Sequence, residues 1–260
     1  TDANPRMART AKMNMIMHGD GHGGVHHHDG LLNVNGIFDN RFDVILTNPP
    51  FGARVEKDLK ITEADRFTDE AKIEEYKKRY GREEYERALS QVNDNIGQSL
   101  LSLYKINSSL TEVLFIERCL NLLKPGGRMG IVLPEGVLNT DSLQKARDFV
   151  EGKAKILLIV SIPQDVFIAS GAPVKPSLLF FKKFTEEEAF EYSQILHQAQ
   201  MTISAKYENE VRELEENLQL KGKDALTKDE KKTCRKKLKV IKEKIEIEVK
   251  KIVKEKFDFI

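Results

Sequence analysis

The chain has no tryptophan and only two cysteines, Cys119 and Cys234, among its 260 residues. Two distant thiols without a pairing pattern argue against a disulfide framework and fit a reducing compartment, so a cytoplasmic location is expected. Long apolar runs are missing as well. No stretch approaches the roughly 20 apolar residues of a membrane-spanning helix, and the opening residues do not read as a signal peptide. Net charge is nearly absent: 42 Lys and Arg stand against 41 Asp and Glu, for a balance of +1. No global field draws such a protein to nucleic acid, and any binding of that kind must use local patches. What remains is a chain with 40% hydrophobic and 32% charged residues. That is enough for one medium domain with its own core, plus an appendage, under a highly charged surface.

The most informative stretch is Asn48-Pro49-Pro50-Phe51. It follows Phe42-Asp43-Val44-Ile45-Leu46-Thr47, a short β-branched run that reads as a buried strand. Two prolines cannot continue a sheet ladder, so the chain must leave the sheet after Asn48. The Asn48 amide is then presented at the carboxyl end of a strand, where open α/β sheets bind ligands. An amide oxygen, the freed Pro49 carbonyl and the Phe51 ring together suit a planar substrate carrying an NH2 group. The two oxygens accept from the amine, and the ring stacks on the plane that bears it. Gly52 lets the backbone pass close by.

This strand-then-NPPF arrangement resembles the S-adenosylmethionine-dependent amino-methyltransferases. Further stretches narrow the resemblance to the modification subunits of type I restriction-modification systems, which are adenine-N6 DNA methyltransferases. They are Thr1 to Pro5, Met13 to Met15 with His18-Gly19, Asp29 to Leu32, Phe42 to Gly52, Leu120 to Leu138, and Ile159 to Lys183. They are collinear and cover most of residues 1–184. The resemblance implies an α/β fold, a Rossmann-like methyltransferase sheet ending in an antiparallel hairpin. It implies that Asn48, Pro49, Pro50 and Phe51 form the catalytic motif. It also implies S-adenosylmethionine as cofactor, with Asp2 at its ribose and Asp29 at its adenine amino group. The implied partners are double-stranded DNA and the specificity and restriction subunits of a type I complex. No glycine-rich cofactor loop is found before Asp2. The expectation is therefore a partial domain, cut at both ends, that alone binds the cofactor weakly and is inactive in isolation.

Along the chain, residues 6–17 read as a helix, His18 to Gly24 as a glycine-rich loop, and Val25 to His28 as a short strand. Residues 53–98 form a charged insertion with one or two solvated helices anchored by Ile73, Tyr76, Tyr80, Tyr85 and Leu89. Ser109 and Glu112 make a capping-box pattern opening a helix that carries Val113, Ile116, Leu120 and Leu123 and stops at Pro125-Gly126-Gly127. Arg128 to Leu133 follows as a strand, Leu133 to Gly136 as a loop that the resemblance puts on the target-base side, with a plain tight turn as the alternative, and 141–151 as a helix. The apolar runs 155–162 and 177–184 are joined without a helix, which suits the terminal hairpin of the sheet. Histidines 18, 22, 26, 27 and 28 tempt a metal reading, but Gly-Asp-Gly between the first two is not helical and no cysteine is near. A solvated loop is preferred, and no metal site is expected.

Residues 185–260 change character and read as a helical extension. Glu208 to Leu220 holds one basic and five acidic residues, whereas Lys221 to Lys256 holds fifteen basic and seven acidic. Val211, Leu214 and Leu218 line the first segment. Leu238, Ile241, Ile245, Val249 and Ile252 line the second, behind a capping box at Thr227 and Glu230. A break at Lys221-Gly222-Lys223 suggests an antiparallel hairpin over 208–256, used for assembly. Two other functions fit the same residues: NPPF-type transfer to RNA or to a protein glutamine, and a non-catalytic assembly module.

Overall fold

The structure, a computed structural model, describes residues 1–21, 23–170, 174–220 and 227–259, without the side chains of Ala169 and Ser170. Residues Thr1–Phe184 and Thr185–Ile260 form two separate units.

The first unit opens with α1 (Pro5–Met17), whose N-terminus is closed by the Asn4 side chain accepting from the Arg6 and Met7 N–H groups. Proline at the first helical position suits that start, because its missing N–H would have had no partner there. Its sheet starts with β1 (Phe42–Thr47). Two helices of the insertion follow, α2 (Glu70–Tyr80) and α3 (Arg82–Asn93). Then come α4 (Thr111–Leu122), β2 (Leu123–Pro134), α5 (Glu135–Asn139), α6 (Gln144–Glu151), β3 (Ala154–Ser161) and β4 (Pro176–Lys183). The spatial order is β1-β2-β4-β3. β1 lies parallel to β2, while β4 is antiparallel to both β2 and β3. The expected α/β sheet with a terminal antiparallel hairpin is therefore present.

One face of this sheet is packed. Met129, Ile131 and Leu133 of β2 join Leu179 and Phe181 of β4 against Ile116, Cys119 and Leu120 of α4, all at most 4% exposed. Alternation of side chains along a strand puts these residues on one side and their neighbours on the other. On that other side Leu46 is 77% exposed and Val44 62%. The expectation of a wholly buried β1 is thus corrected: only Ile45 packs onto the core. Gly130 serves the same face, since a Cβ there would meet Leu46 Cδ2 at 2.9 Å and Phe180 Cε1 at 2.8 Å.

Several boundaries differ from those expected. β2 begins at Leu123, not Arg128, and runs through Pro125-Gly126-Gly127. Its register against β1 jumps between Phe42 and Val44, so the Pro-Gly-Gly segment is accommodated as a bulge rather than a stop. Residues 135–139 are helical where a loop or a tight turn was expected. The β3–β4 connection carries a 3-10 helix over Gln164–Ser170. The strand expected at 25–28 is a single parallel bridge between Asp2 and His27. In the insertion, the named anchors Ile73, Tyr76, Tyr80, Tyr85 and Leu89 gather around Phe38. Val92 and Ile61, unnamed by the pattern, are buried in a second cluster with Leu31, Leu32 and Leu114.

The second unit is a helix pair, α7 (Glu186–Gln219) and α8 (Lys228–Lys256). The capping box at Thr227 and Glu230 is present, and a second one at Thr185 and Glu188 starts α7 far earlier than residue 208. The expected first arm is therefore too short. The reason is that residues 192–205 hold no Asp, Glu, Lys or Arg to set off the apolar positions, so the stripe of Ala199 and Ile203 among Gln, Ser and Thr is weakly marked. The helices run antiparallel: Lys206 and Tyr207 reach Glu248, while Glu215 reaches back to Lys242 at 3.2 Å. The buried positions of the pair are Ala199, Ile203, Cys234, Val249 and Val253. Lys221-Gly222-Lys223 lies outside the described residues.

Candidate active site

β1 ends at Thr47, and the chain turns away through Asn48-Pro49-Pro50-Phe51. Asn48 is exposed, Pro49 is buried and Phe51 is half-buried. The amide thus faces outward from the carboxyl end of β1 while Pro49 anchors the turn. The Phe51 ring meets Phe167 edge-to-face, with centroids 5.9 Å apart and planes at 90°. Phe167 comes from the 3-10 helix between β3 and β4. Sequence reading missed it, because the loop carries no periodic pattern and only topology brings it here.

Beyond Phe51, Gly52 adopts φ +69°, a left-handed conformation that favours glycine. The segment leaving the turn is fastened to the start of α4. The Thr111 N–H donates to the Ala53 carbonyl at 2.9 Å, and the Val55 N–H to the Ser109 carbonyl at 2.8 Å. The Gly52 N–H donates to Glu112 Oε2 at 3.2 Å. This corrects the expected capping box. α4 has Leu110 at its N-cap with no side-chain cap bond, Ser109 Oγ accepts from Arg54, and the Glu112 carboxylate goes to the turn instead.

The two aspartates lie on adjoining strands of chain. The Asp2 N–H donates to the His26 carbonyl and the His28 N–H donates to the Asp2 carbonyl, both at 3.1 Å. Asp2 is exposed and Asp29 half-buried. One oxygen of each accepts a local backbone N–H: Asn4 onto Asp2 at 2.7 Å and Leu31 onto Asp29 at 2.9 Å. These bonds orient the carboxylates in Asx-type turns and leave the second oxygen of each without a hydrogen-bond partner among the described residues. Those acceptor oxygens fit the hydroxyls or an amino group of a nucleoside as donors. No group of three or more metal-ligating side chains occurs among the described residues. His22 of the histidine-rich loop lies outside them. His26 is held below its usual range, by burial first and then by the nearby chain terminus.

A single helix backs both halves of this region. Glu112 at the start of α4 holds the turn after Phe51. Phe115 lies against Gly30, where a Cβ would meet its ring at 3.0 Å. The buried Arg118 guanidinium donates to the carbonyls of Gly30 and Leu32 and to Asn33 Oδ1. Spacings of three along a helix keep these residues on neighbouring parts of one face. Glu117 accepts the Lys105 and Ile106 N–H groups at 2.8 to 3.0 Å. The neighbouring Cys119 thiol is pushed up to about 12 by burial, which makes it an inert core residue.

A family model described as "Eco57I restriction-modification methylase" matches residues 9–167, more than half of the chain. The match contains Asn48 to Phe51 and Asp29 but not Asp2. No curated relative matches. Among solved structures, the EcoKI M protein of a type I restriction enzyme is 22% identical over 71% of this chain and 30% of that one, with a TM-score of 0.46. A chain from a type I restriction-modification assembly is 22% identical over 75% of this chain and 37% of that one, with a TM-score of 0.48. The chain spans about a third of the length of these structures.

Proposed function

The chain belongs to the Eco57I restriction-modification methylase family, and from that premise we propose that it is part of an adenine-N6 DNA methyltransferase, the modification subunit of a type I system. The observation that carries this reading is the Asn48–Phe51 turn at the carboxyl end of β1, with its exposed amide, buried Pro49 and half-buried ring.

The chemistry follows from the amine. The lone pair of the exocyclic nitrogen is conjugated into the adenine ring, so the nitrogen is a weak nucleophile. Asn48 Oδ1 and the Pro49 carbonyl each accept one of its hydrogens and draw the nitrogen toward a tetrahedral geometry. The lone pair then points away from the ring. This is catalysis by positioning and electrostatics, not by a general base. Nitrogen gains a methyl group and a positive charge, then releases a proton to water. Phe51 stacks on the base once it has left the duplex, and Phe167 fixes the plane of the Phe51 ring from its edge. S-adenosylmethionine, when bound, supplies the electrophilic methyl group. Asp2 and Asp29 would hold it through the carboxylate oxygens that their turns leave open, at the ribose hydroxyls and the adenine amino group respectively. The helix pair α7–α8 would serve assembly with the specificity subunit, and through it with the restriction subunit. No helix is long and apolar enough to cross a membrane among the described residues.

The decisive experiment is Asn48→Ala in the full-length protein. Methyl transfer to duplex DNA is expected to vanish while S-adenosylmethionine binding by calorimetry stays nearly unchanged. A variant that still methylates at the wild-type rate would remove Asn48 from the site.

A further inference from the structure

Glu112 is only 4% exposed, between Thr111 and the fully buried Val113 and Leu114. Burying a carboxylate is costly unless its oxygens are hydrogen-bonded or paired. No lysine or arginine lies within ion-pair distance of it among the described residues. Its one hydrogen bond there is the Gly52 N–H at 3.2 Å. Two features make the site tolerable for a negative charge. The side chain belongs to the first turn of α4, where the helix dipole favours an anion. The bond it accepts is charge-assisted and stronger than a neutral one.

We propose that Glu112 is the positioning residue of the Asn48–Phe51 turn, fixing through the Gly52 N–H the direction in which the Asn48 amide and the Phe51 ring are presented. The proposal rests on reading that turn as the amine site. Gly52 is the hinge of the arrangement. Its φ of +69° directs its N–H, and a Cβ there would meet nothing within 4 Å, so backbone conformation rather than crowding requires glycine. The two backbone bonds at Ala53 and Val55 fasten the chain further on. Of the three fastenings, the Glu112 bond lies nearest Phe51. It is also the one made by a side chain, so substitution can remove it without rebuilding the backbone.

The test compares Glu112→Gln with Glu112→Leu in the full-length protein. Glutamine keeps an acceptor oxygen for the Gly52 N–H and loses only the charge, whereas leucine fills the space with no acceptor. Hydrogen exchange of the peptide containing Gly52 reads the fastening without substrate or cofactor. Methyl transfer to duplex DNA reads its use. In Glu112→Leu, Gly52 exchange is expected to rise and kcat to fall by about tenfold or more, the loss of one bond to a charged acceptor. KM for S-adenosylmethionine should stay within about twofold, since the turn does not hold the cofactor. Glu112→Gln should restore both readouts to within about threefold of wild type. Unchanged Gly52 exchange in Glu112→Leu would overturn the proposal, and so would a glutamine variant as impaired as the leucine one. If wild-type protein methylates no DNA, the adenine reading fails separately, and the exchange measurement still decides whether Glu112 fixes the turn.

Discussion

The sheet unit and the helix pair are built from opposite resources. In residues 1–184, Leu120, Ile131 and Phe181 are at most 1% exposed and belong to one continuous cluster between α4 and the sheet. In residues 185–260 the buried helical positions form a narrow seam of Ala199, Ile203, Cys234, Val249 and Val253 along helices of 34 and 29 residues. The rest of the pair is charge, with Lys206–Glu248 and Lys242–Glu215 spanning the two helices. The contrast shows where precision can reside. A densely packed layer can hold side chains in fixed positions, and the candidate site sits at its rim. A thin seam fixes little beyond helix register, which suits a surface that meets other chains.

The largest expected effect separates the two units at once. Leu120→Ala removes a side chain 1% exposed at the centre of the sheet core. It should cost about 2–5 kcal/mol, the range for a buried leucine replaced by alanine. Denaturant unfolding followed by a probe in each unit should show the sheet transition shifted and the hairpin transition unmoved. A common shift of both would mean that the two units unfold as one.

The next effect is on activity, not on stability. Phe51 is half-buried and touches Phe167 edge-on. Phe51→Ala should lower methyl transfer roughly tenfold to a hundredfold, because base stacking is worth about 1–3 kcal/mol. Phe51→Trp should keep part of the activity. Equal rates for alanine and wild type would exclude stacking and leave the rim of the sheet without its proposed use.

In the hairpin, Val249→Ala should cost about 1–2 kcal/mol, from the methyl groups lost and little extra cavity in so narrow a seam. Loss of helical circular dichroism at a lower temperature, confined to the second transition, is the expected reading. A cost as large as that of Leu120→Ala would show the seam to be a true core.

How much of this was legible in sequence divides along the same line. The β-branched run before Asn48 and the Pro-Pro exit gave the motif its place, because strand end and proline chemistry are local. The Thr227–Glu230 cap was legible for the same reason. Glu112 was misread: Ser109 and Glu112 have cap spacing, but a contact 60 residues away in sequence captured the carboxylate. Phe167 was invisible for the same cause, a pairing made by topology. The exposed face of β1 escaped because hydrophobicity alone cannot say which side of a strand is covered. The early start of α7 escaped because residues 192–205 hold no Asp, Glu, Lys or Arg to set off their apolar positions.

A smaller effect tests the sheet unit by pH. Lys183 lies on β4, with its ammonium donating to Asn40 Oδ1 at 2.9 Å and to the Leu123 carbonyl at 2.6 Å. Burial, reinforced by Lys153, lowers it from 10.5 to about 8. Between those values the unfolded chain binds a proton that the folded one does not. Stability from this group therefore rises as pH goes from about 8 toward 10.5, and is lost again as pH falls through 8. Urea midpoints at pH 7.5 and 9.5, wild type against Lys183→Met, should diverge in favour of wild type at the higher pH. Parallel midpoints would show that the lysine titrates normally.

The smallest effect belongs to the hairpin's charges. Lys242 and Glu215 meet at 3.2 Å with side chains 58% and 47% exposed. At that exposure water screens the pair, and holding two long side chains in one geometry offsets much of the attraction. Lys242→Ala should therefore cost no more than about 0.2–1 kcal/mol, less than Val249→Ala, and the difference should shrink as salt is raised. The measurement is thermal melting of the helix pair at low and high ionic strength for both variants. If Lys242→Ala proves the more damaging of the two, and salt erases most of the pair's stability, then charge rather than the apolar seam holds the helices together. The contrast between the two units would then be one of kind: a core of packed side chains in one, and a screened electrostatic clasp in the other.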